Sequence, residues 1–363
     1  MLNRWSLQVM RRRILRRVSS ILFGHCSTGG SLPTQGVHRI LVLRPNQRLG
    51  NMLLLTPLMA ELEAIYPGAE VDLLSASAVA REVFAGYDSV RTHWQLPRRI
   101  VQRPWHTFGL LRSMLRRRYD LVIDPCPGSN SARLLLLASN AQYKLGFVGA
   151  DFAGRINCGV AVPDGCQHLA KLPVYLLRRA HGQGRESRPS PALDLRLTER
   201  ELEKGRAKIR ALISDERKHV VALFGEATGA KAFSQSWWNS LIILLERTSV
   251  CPTWVEMVPA SGQSKFANRY PTYYSTSIRS LGATMAAADM LVTADCGVMH
   301  LAIASGVTTA GVFSVTSAEQ YAPYGHGSFS LDAASGLPDP VAGQLIDRWQ
   351  EPQGALFPLE RAL

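Results

Sequence analysis

The chain has 363 residues, enough for two ordinary domains each with its own core, and 46% hydrophobic content is that of a globular protein and excludes a disordered one. Its formal charge of +13 is uneven: residues 1–60 carry nine arginines and no acid, and residues 91–118 carry eight more and no acid, a distribution suited to an anionic partner. Six cysteines with no C-x-x-C pair argue against a disulfide framework or structural zinc and for a reducing compartment, and no apolar run reaches bilayer-spanning length.

At the start of the chain, Leu7, Met10, Ile14, Val18 and Ile21 share one helical face, with Arg12, Arg13, Arg16 and Arg17 opposite. This is the pattern of an interfacial helix on anionic headgroups; its arginines interrupt the apolar run that a signal peptide needs. Residues 1–36 are therefore read as a basic amphipathic leader and linker. Short apolar strands then alternate with amphipathic helices. Strand 39–43 is bounded by Pro45, and helical periodicity runs over 50–65 to Pro67-Gly68. Strands at 70–74 and 119–124, a helix through 134–138 and a strand near 143–147 follow. Residues 182–198, with Gly182, Gly184, Pro189 and Pro191, break the pattern. It restarts with strand 219–224, helix 236–247, strand 252–258, helix 278–288, strand 290–294, helix 298–305 and strand 308–313. Asp339-Pro340 opens a closing helix at 338–350.

This alternation implies right-handed βαβ units and parallel sheets covered on both faces. The fold class is α/β, with two Rossmann-like domains facing across a cleft at the carboxyl ends of their strands, where ligands bind in such folds. The expected bounds are 37–185 for the first domain, 186–215 for a linker, 216–335 for the second domain and 336–363 for a closing helix and tail.

Two loops carry chemistry. After strand 290–294 comes Asp295-Cys296-Gly297-Val298-Met299-His300, opening a helix. A glycine there lets backbone amides approach an anion, and the helix dipole favours phosphate. Asp295, at the expected N-cap, suits sugar hydroxyls or first-turn amides, and His300 lies one turn in. The same spacing also fits an ordinary capped turn with His300 a satisfied, half-buried imidazole. After strand 219–224 comes Gly225-Glu226-Ala227-Thr228-Gly229-Ala230-Lys231, then Phe233 and Trp238. Such a loop suits a diphosphate, with Lys231 a point charge against the leaving group, although a solvated loop fits its spacing too. It is not a Walker A loop, and no G-x-G-x-x-G follows the first strand, which disfavours a dinucleotide-dependent dehydrogenase. With no D-x-D and no His/carboxylate cluster, neither a metal nor a cofactor is expected.

Together, Leu49-Gly50-Asn51-Met52-Leu53-Leu54-Leu55-Thr56-Pro57, residues 119–124, Lys231 with Trp238 seven residues on, and Asp295 to Leu301 resemble glycosyltransferase family nine, the ADP-heptose:lipopolysaccharide heptosyltransferases. The resemblance spans roughly 38–335 and implies a GT-B fold, with donor held mainly by the C-terminal domain and acceptor by the N-terminal one. It implies that Lys231, with Gly225 and Thr228, contacts donor phosphate. Asp295, Cys296 and Gly297 would hold phosphate and sugar, with His300 supporting the turn, and Arg44, Arg48 and Gly50 would meet the acceptor. Two residues depart from the family pattern. Asn51 stands where Asp, the presumed general base, is usual, and an amide cannot take a proton at neutral pH. Cys296 replaces a Thr or Ser hydroxyl. Asp124 is then the nearest candidate carboxylate, unless it only caps the turn before Pro125 or the donor phosphate takes the proton.

The implied activity is metal-independent, inverting transfer of a heptose or similar sugar from an ADP-sugar to a lipopolysaccharide-core or related anionic saccharide. The implied partners are a nucleotide-sugar donor, a lipid-linked acceptor and the anionic inner face of the cell membrane, with the protein peripheral on its cytoplasmic side. The alternative is a non-catalytic member that binds sugar nucleotide or glycan. A nucleic-acid partner is not expected, because stacking aromatics and recognisable modules are missing.

Overall fold

The computed structural model describes residues 30–99, 102–149, 156–165, 168–182, 188–213, 219–247 and 252–350. The amphipathic leader helix at 7–21 and the tail beyond 350 lie outside the described residues. The chain divides into two compact units, one of Met1–Arg48, Pro57–Arg81 and Tyr87–Pro191, the other of Leu49–Thr56, Glu82–Gly86 and Ala192–Leu363.

The first unit carries strands β1 (Arg39–Arg44), β2 (Glu70–Ser75), β3 (Val90–Gln95), β4 (Arg118–Asp124), β5 (Asn140–Val148) and β6 (Cys158–Ala161). They form one sheet in the order β3-β2-β1-β4-β5-β6, every pair parallel. Ile40, Leu41, Val42 and Leu43 of β1 are all fully buried, as a central parallel strand covered on both faces requires. Helices α1 (Leu49–Leu53), α2 (Thr56–Ile65), α3 (Ala80–Val83), α4 (Pro104–Arg116), α5 (Asn130–Ala138) and α6 (Lys171–Ala180) follow in chain order. The N-terminal part of the chain thus supplies α1 to the second unit.

The single helix expected over 50–65 is two, and Pro57 is the reason. Without an N–H it cannot donate to Leu53 O, and the Thr56 hydroxyl donates there instead at 2.7 Å. A buried ion pair braces this unit: Arg178 of α6 donates to both oxygens of Glu61 on α2, each at 2.8 Å.

The second unit repeats the topology. Strands β7 (Val220–Phe224), β8 (Thr253–Met257), β9 (Thr272–Tyr273), β10 (Met290–Ala294), β11 (Thr308–Phe313) and β12 (Phe329–Asp332) form a parallel sheet in the order β12-β11-β10-β7-β8-β9. Helices α7 (Glu199–Leu212), α8 (Gln235–Glu246), α9 (Ile278–Met285), α10 (Gly297–Ala304), α11 (Ala318–Tyr321) and α12 (Pro338–Gln350) connect and cover it.

Helix α7 lies inside the segment expected to be a linker. More than half of its residues are charged and only Gly205 and Ile209 are buried, so its narrow apolar stripe does not betray it. A capping box does: the Thr198 side chain accepts from Glu201 N–H while the Glu201 side chain accepts from Thr198 N–H. Arg279 of α9 grips Glu201 through two bonds of 2.6 and 2.7 Å and donates to Leu195 O and Arg196 O at 2.9 Å each.

Candidate functional site

Each sheet winds outward from its middle, so a topological switch point falls between β1 and β4 in the first unit and between β7 and β10 in the second. Loops at the carboxyl ends of those strands are where open parallel sheets bind ligands. In the second unit, the two motif loops follow β7 and β10.

The β7 loop is held by its neighbours. Buried Trp238 on α8 donates from Nε1 to Gly225 O at 3.1 Å. A Cβ at Gly225 would stand 2.8 Å from Lys265 Cβ, so only glycine keeps this path without a shift. Gly229–Lys231 forms a single 3₁₀ turn with Thr228 exposed before it, and it aims Lys231 inward. Lys231 Nζ reaches Asp295 Oδ2 at 2.6 Å, with the lysine side chain 28% exposed and the aspartate 3%. Lys231 is therefore not a freely solvated loop residue.

Asp295 does not cap α10. That place belongs to Cys296, whose extended backbone makes it the N-cap without a side-chain bond to the helix. Asp295, one residue earlier, turns its carboxylate the other way and accepts on the same Oδ2 from Thr316 Oγ1 at 2.6 Å. Cys296 Sγ sits 3.6 Å from Thr293 Oγ1, and burial holds its thiol pKa above the usual value. Cys296 therefore offers the first-turn amides of Val298 and Met299 only its weakly accepting sulfur, an arrangement open to a stronger, anionic acceptor.

His300 is buried within α10, not half-buried as the spacing suggests. A Cβ on Gly50 of α1 would lie 3.0 Å from His300 Cδ2 and 3.5 Å from Gly297 Cα, so glycine at 50 lets α1 lie directly on the start of α10. Asn51 is the next residue along α1, half-buried. The second unit therefore gathers Gly50, Asn51, Gly225, Lys231, Asp295, Cys296, Gly297 and His300. Two residues completing it escape the sequence reading: Thr316, and Tyr321, whose ring faces Lys231 Nζ at 5.5 Å and the His300 ring at 6.4 Å. Both lie past the last apolar strand, in a segment with no recognisable motif.

Arg44, Arg48 and Asp124 belong to the first unit, at the ends of β1 and β4. Arg48 is exposed. Asp124 is 1% exposed and meets Arg133 Nε of α5 at 3.4 Å, while Arg133 donates from Nη2 to Phe147 O. Burial pushes the Asp124 carboxyl up to about 7, against the pull of the Arg133 and Arg44 guanidiniums. Among the described residues there is no group of three or more His, Cys, Asp or Glu side chains that would hold a metal ion, and no helix long and apolar enough to cross a membrane.

Two six-stranded parallel sheets, each wound outward from a central switch point, define the GT-B class of glycosyltransferase fold. The model of glycosyltransferase family 9 (heptosyltransferase) matches residues 107–335, and the chain belongs to that family. Its structure is similar to a family 9 glycosyl transferase from Veillonella parvula (TM-score 0.68, 15% identity, covering 92% of this chain and 97% of that one). It is also similar to the E. coli heptosyltransferase WaaC with ADP (TM-score 0.63, 17% identity, 85% and 98% covered). A third similar structure is E. coli ADP-heptose LPS heptosyltransferase II (TM-score 0.61, 18% identity, 85% and 98% covered). Comparison with curated proteins finds no match.

Proposed function

We propose that the protein transfers a heptose or closely related sugar from an ADP-sugar to an anionic, lipid-linked saccharide of the lipopolysaccharide-core type, with inversion at the anomeric carbon. The observation that carries this reading is the Lys231–Asp295 pair beside the α10 N-terminus. An ammonium has three N–H donors, and Asp295 takes one, leaving two for a donor diphosphate. Pre-set positive charge there, together with the first amides of α10, stabilises the negative charge that grows on the diphosphate as its bond to the sugar breaks. Asp295, itself fixed by Lys231 and Thr316, holds that ammonium in position for the diphosphate.

The acceptor hydroxyl oxygen forms the new bond to the anomeric carbon from the face opposite the leaving diphosphate. Asn51 orients that hydroxyl but cannot take its proton. Asp124, at 1% exposure behind Arg133, serves to anchor the β4 turn. The proton passes instead to a donor phosphate oxygen, whose basicity rises as the bond to carbon breaks, so ADP departs carrying it. Arg44, Arg48 and the arginines of the first unit attract the acceptor's negative groups at the inner face of the membrane.

Asn51 also favours a second reading, a member that binds sugar nucleotide without turnover. Titrating ADP into the full chain by calorimetry tests the donor assignment shared by both. One saturable site that Lys231→Ala weakens supports it, and no heat at millimolar ADP sinks it.

A further inference from the structure

Helix α4 is anchored without its two largest side chains. Thr107 and Met114 are buried, and Leu110, Leu111 and Leu115 pack on the core around Leu96 and Tyr119. Trp105, by contrast, is 85% exposed and Phe108 61%. Helical spacing puts Trp105, Phe108, Gly109, Arg112 and Arg116 on one outward face. A Cβ at Gly109 would touch nothing, so this face is open. Each aromatic brings a large apolar area to burial, and here both stand in water.

The surrounding charge has one sign. Arg98, Arg99, Arg103, Arg112 and Arg116 are exposed, and none forms an ion pair with a described residue. On the flank of α4 lies a cleft of about 570 Å³, lined by Arg81, His93, Arg98, Arg103 and His106 and by no carboxylate. Paired aromatics ringed by unpaired arginines fit an anionic bilayer surface, where rings enter the headgroup–acyl boundary and guanidiniums meet lipid phosphate. A bilayer supplies negative charge across the whole face at once, whereas a protein partner would have to present an acidic surface of matching extent.

We infer that the outer face of α4 is a membrane-docking surface, with Trp105 and Phe108 inserted, Arg112 and Arg116 on lipid phosphates, and the basic cleft opening beside the headgroups. This inference specifies where the proposed membrane association occurs. It does not depend on the sugar donor.

The test is sedimentation of the full chain with vesicles of phosphatidylcholine, with and without phosphatidylglycerol. The double variant Trp105→Ser/Phe108→Ser should partition about tenfold less onto the anionic vesicles, the loss expected for two partly inserted aromatics, with an unchanged melting temperature. Arg112→Ser/Arg116→Ser should flatten the salt dependence. ADP binding should stay at the parental level in both, so a failed donor assignment and a failed docking face give different results. A depth measurement separates α4 from the leader: the fluorescence difference between parent and Trp105→Phe should shift to shorter wavelength and be quenched by brominated phospholipid. An unquenched difference signal, or parental vesicle binding by the aromatic double variant, overturns the assignment. So does a double variant that dissociates an oligomer or loses single-stranded DNA binding while keeping the vesicles.

Discussion

Lys231 and Asp295, 64 residues apart in the chain, meet at 2.6 Å on loops that leave neighbouring strands β7 and β10 at the switch point of one sheet. The aspartate is buried and the lysine partly open, so the pair presents a cation whose position is fixed by a carboxylate behind it. Two consequences separate. Lys231→Ala should weaken donor binding or turnover about tenfold or more, the loss of a charge-assisted contact. It should also lower stability by about 1 kcal/mol, modest because the lysine is partly solvated, since Asp295 is left buried without its cation. Lys231→Arg should recover most of the stability. Unchanged donor affinity alongside a lowered melting temperature would make Lys231 purely structural.

Asn51→Asp should keep or raise transfer activity, because it supplies a carboxylate able to take the acceptor's proton, on a helix already seated against α10. Steady-state rates across pH check it: the variant should gain an acidic limb that the parent lacks. Complete loss with intact folding would mean the Asn51 amide donates an essential hydrogen bond.

Asp124 makes stability depend on pH. Its carboxyl is raised from the ordinary 3.8 to about 7 by burial, so the folded state holds the proton more tightly than the unfolded one. Its contribution is therefore complete below about pH 4 and fades as pH rises through about 7. Asp124→Asn removes that dependence. Melting curves should show the parent losing stability relative to the variant between about pH 4 and 7; a constant difference across that range contradicts the assignment.

Arg279→Lys tests the brace between α7 and α9. Arginine's planar fork meets both Glu201 oxygens and three backbone carbonyls, those of Glu82, Leu195 and Arg196, and a lysine cannot reproduce five directed bonds. Stability should fall by about 2 kcal/mol, read as denaturant midpoint, with donor affinity unaffected. A shift within about 0.5 kcal/mol would mean that solvent replaces the lost bonds.

Much of this was legible in the sequence for physical reasons. Fully buried parallel strands such as β1 and β10 are continuous apolar runs, and the loops after them carry glycine where backbone must approach closely. What escaped follows from the same physics. Helix α7 buries only a narrow stripe, and α4 hides its core face beneath arginines and exposed aromatics, so neither shows a clean apolar period. Asp295 reads as an N-cap because Asp commonly fills that place, yet the fold sets it one residue back to face Lys231 and Thr316. Those contacts cross more than twenty residues, and local spacing does not encode them.

The reading of the whole molecule rests on transfer of a sugar from an ADP donor. The most direct measurement incubates the purified chain with ADP-heptose, GDP- and UDP-sugars in turn, each with a heptose-free lipopolysaccharide-core acceptor, and follows both released nucleoside diphosphate and the mass of the acceptor. The account predicts ADP release from ADP-heptose with a matching gain of one heptose on the acceptor, and an inverted anomeric configuration in the product. ADP bound but never released, with the acceptor unchanged for every donor, would contradict it and leave a sugar-nucleotide-binding protein.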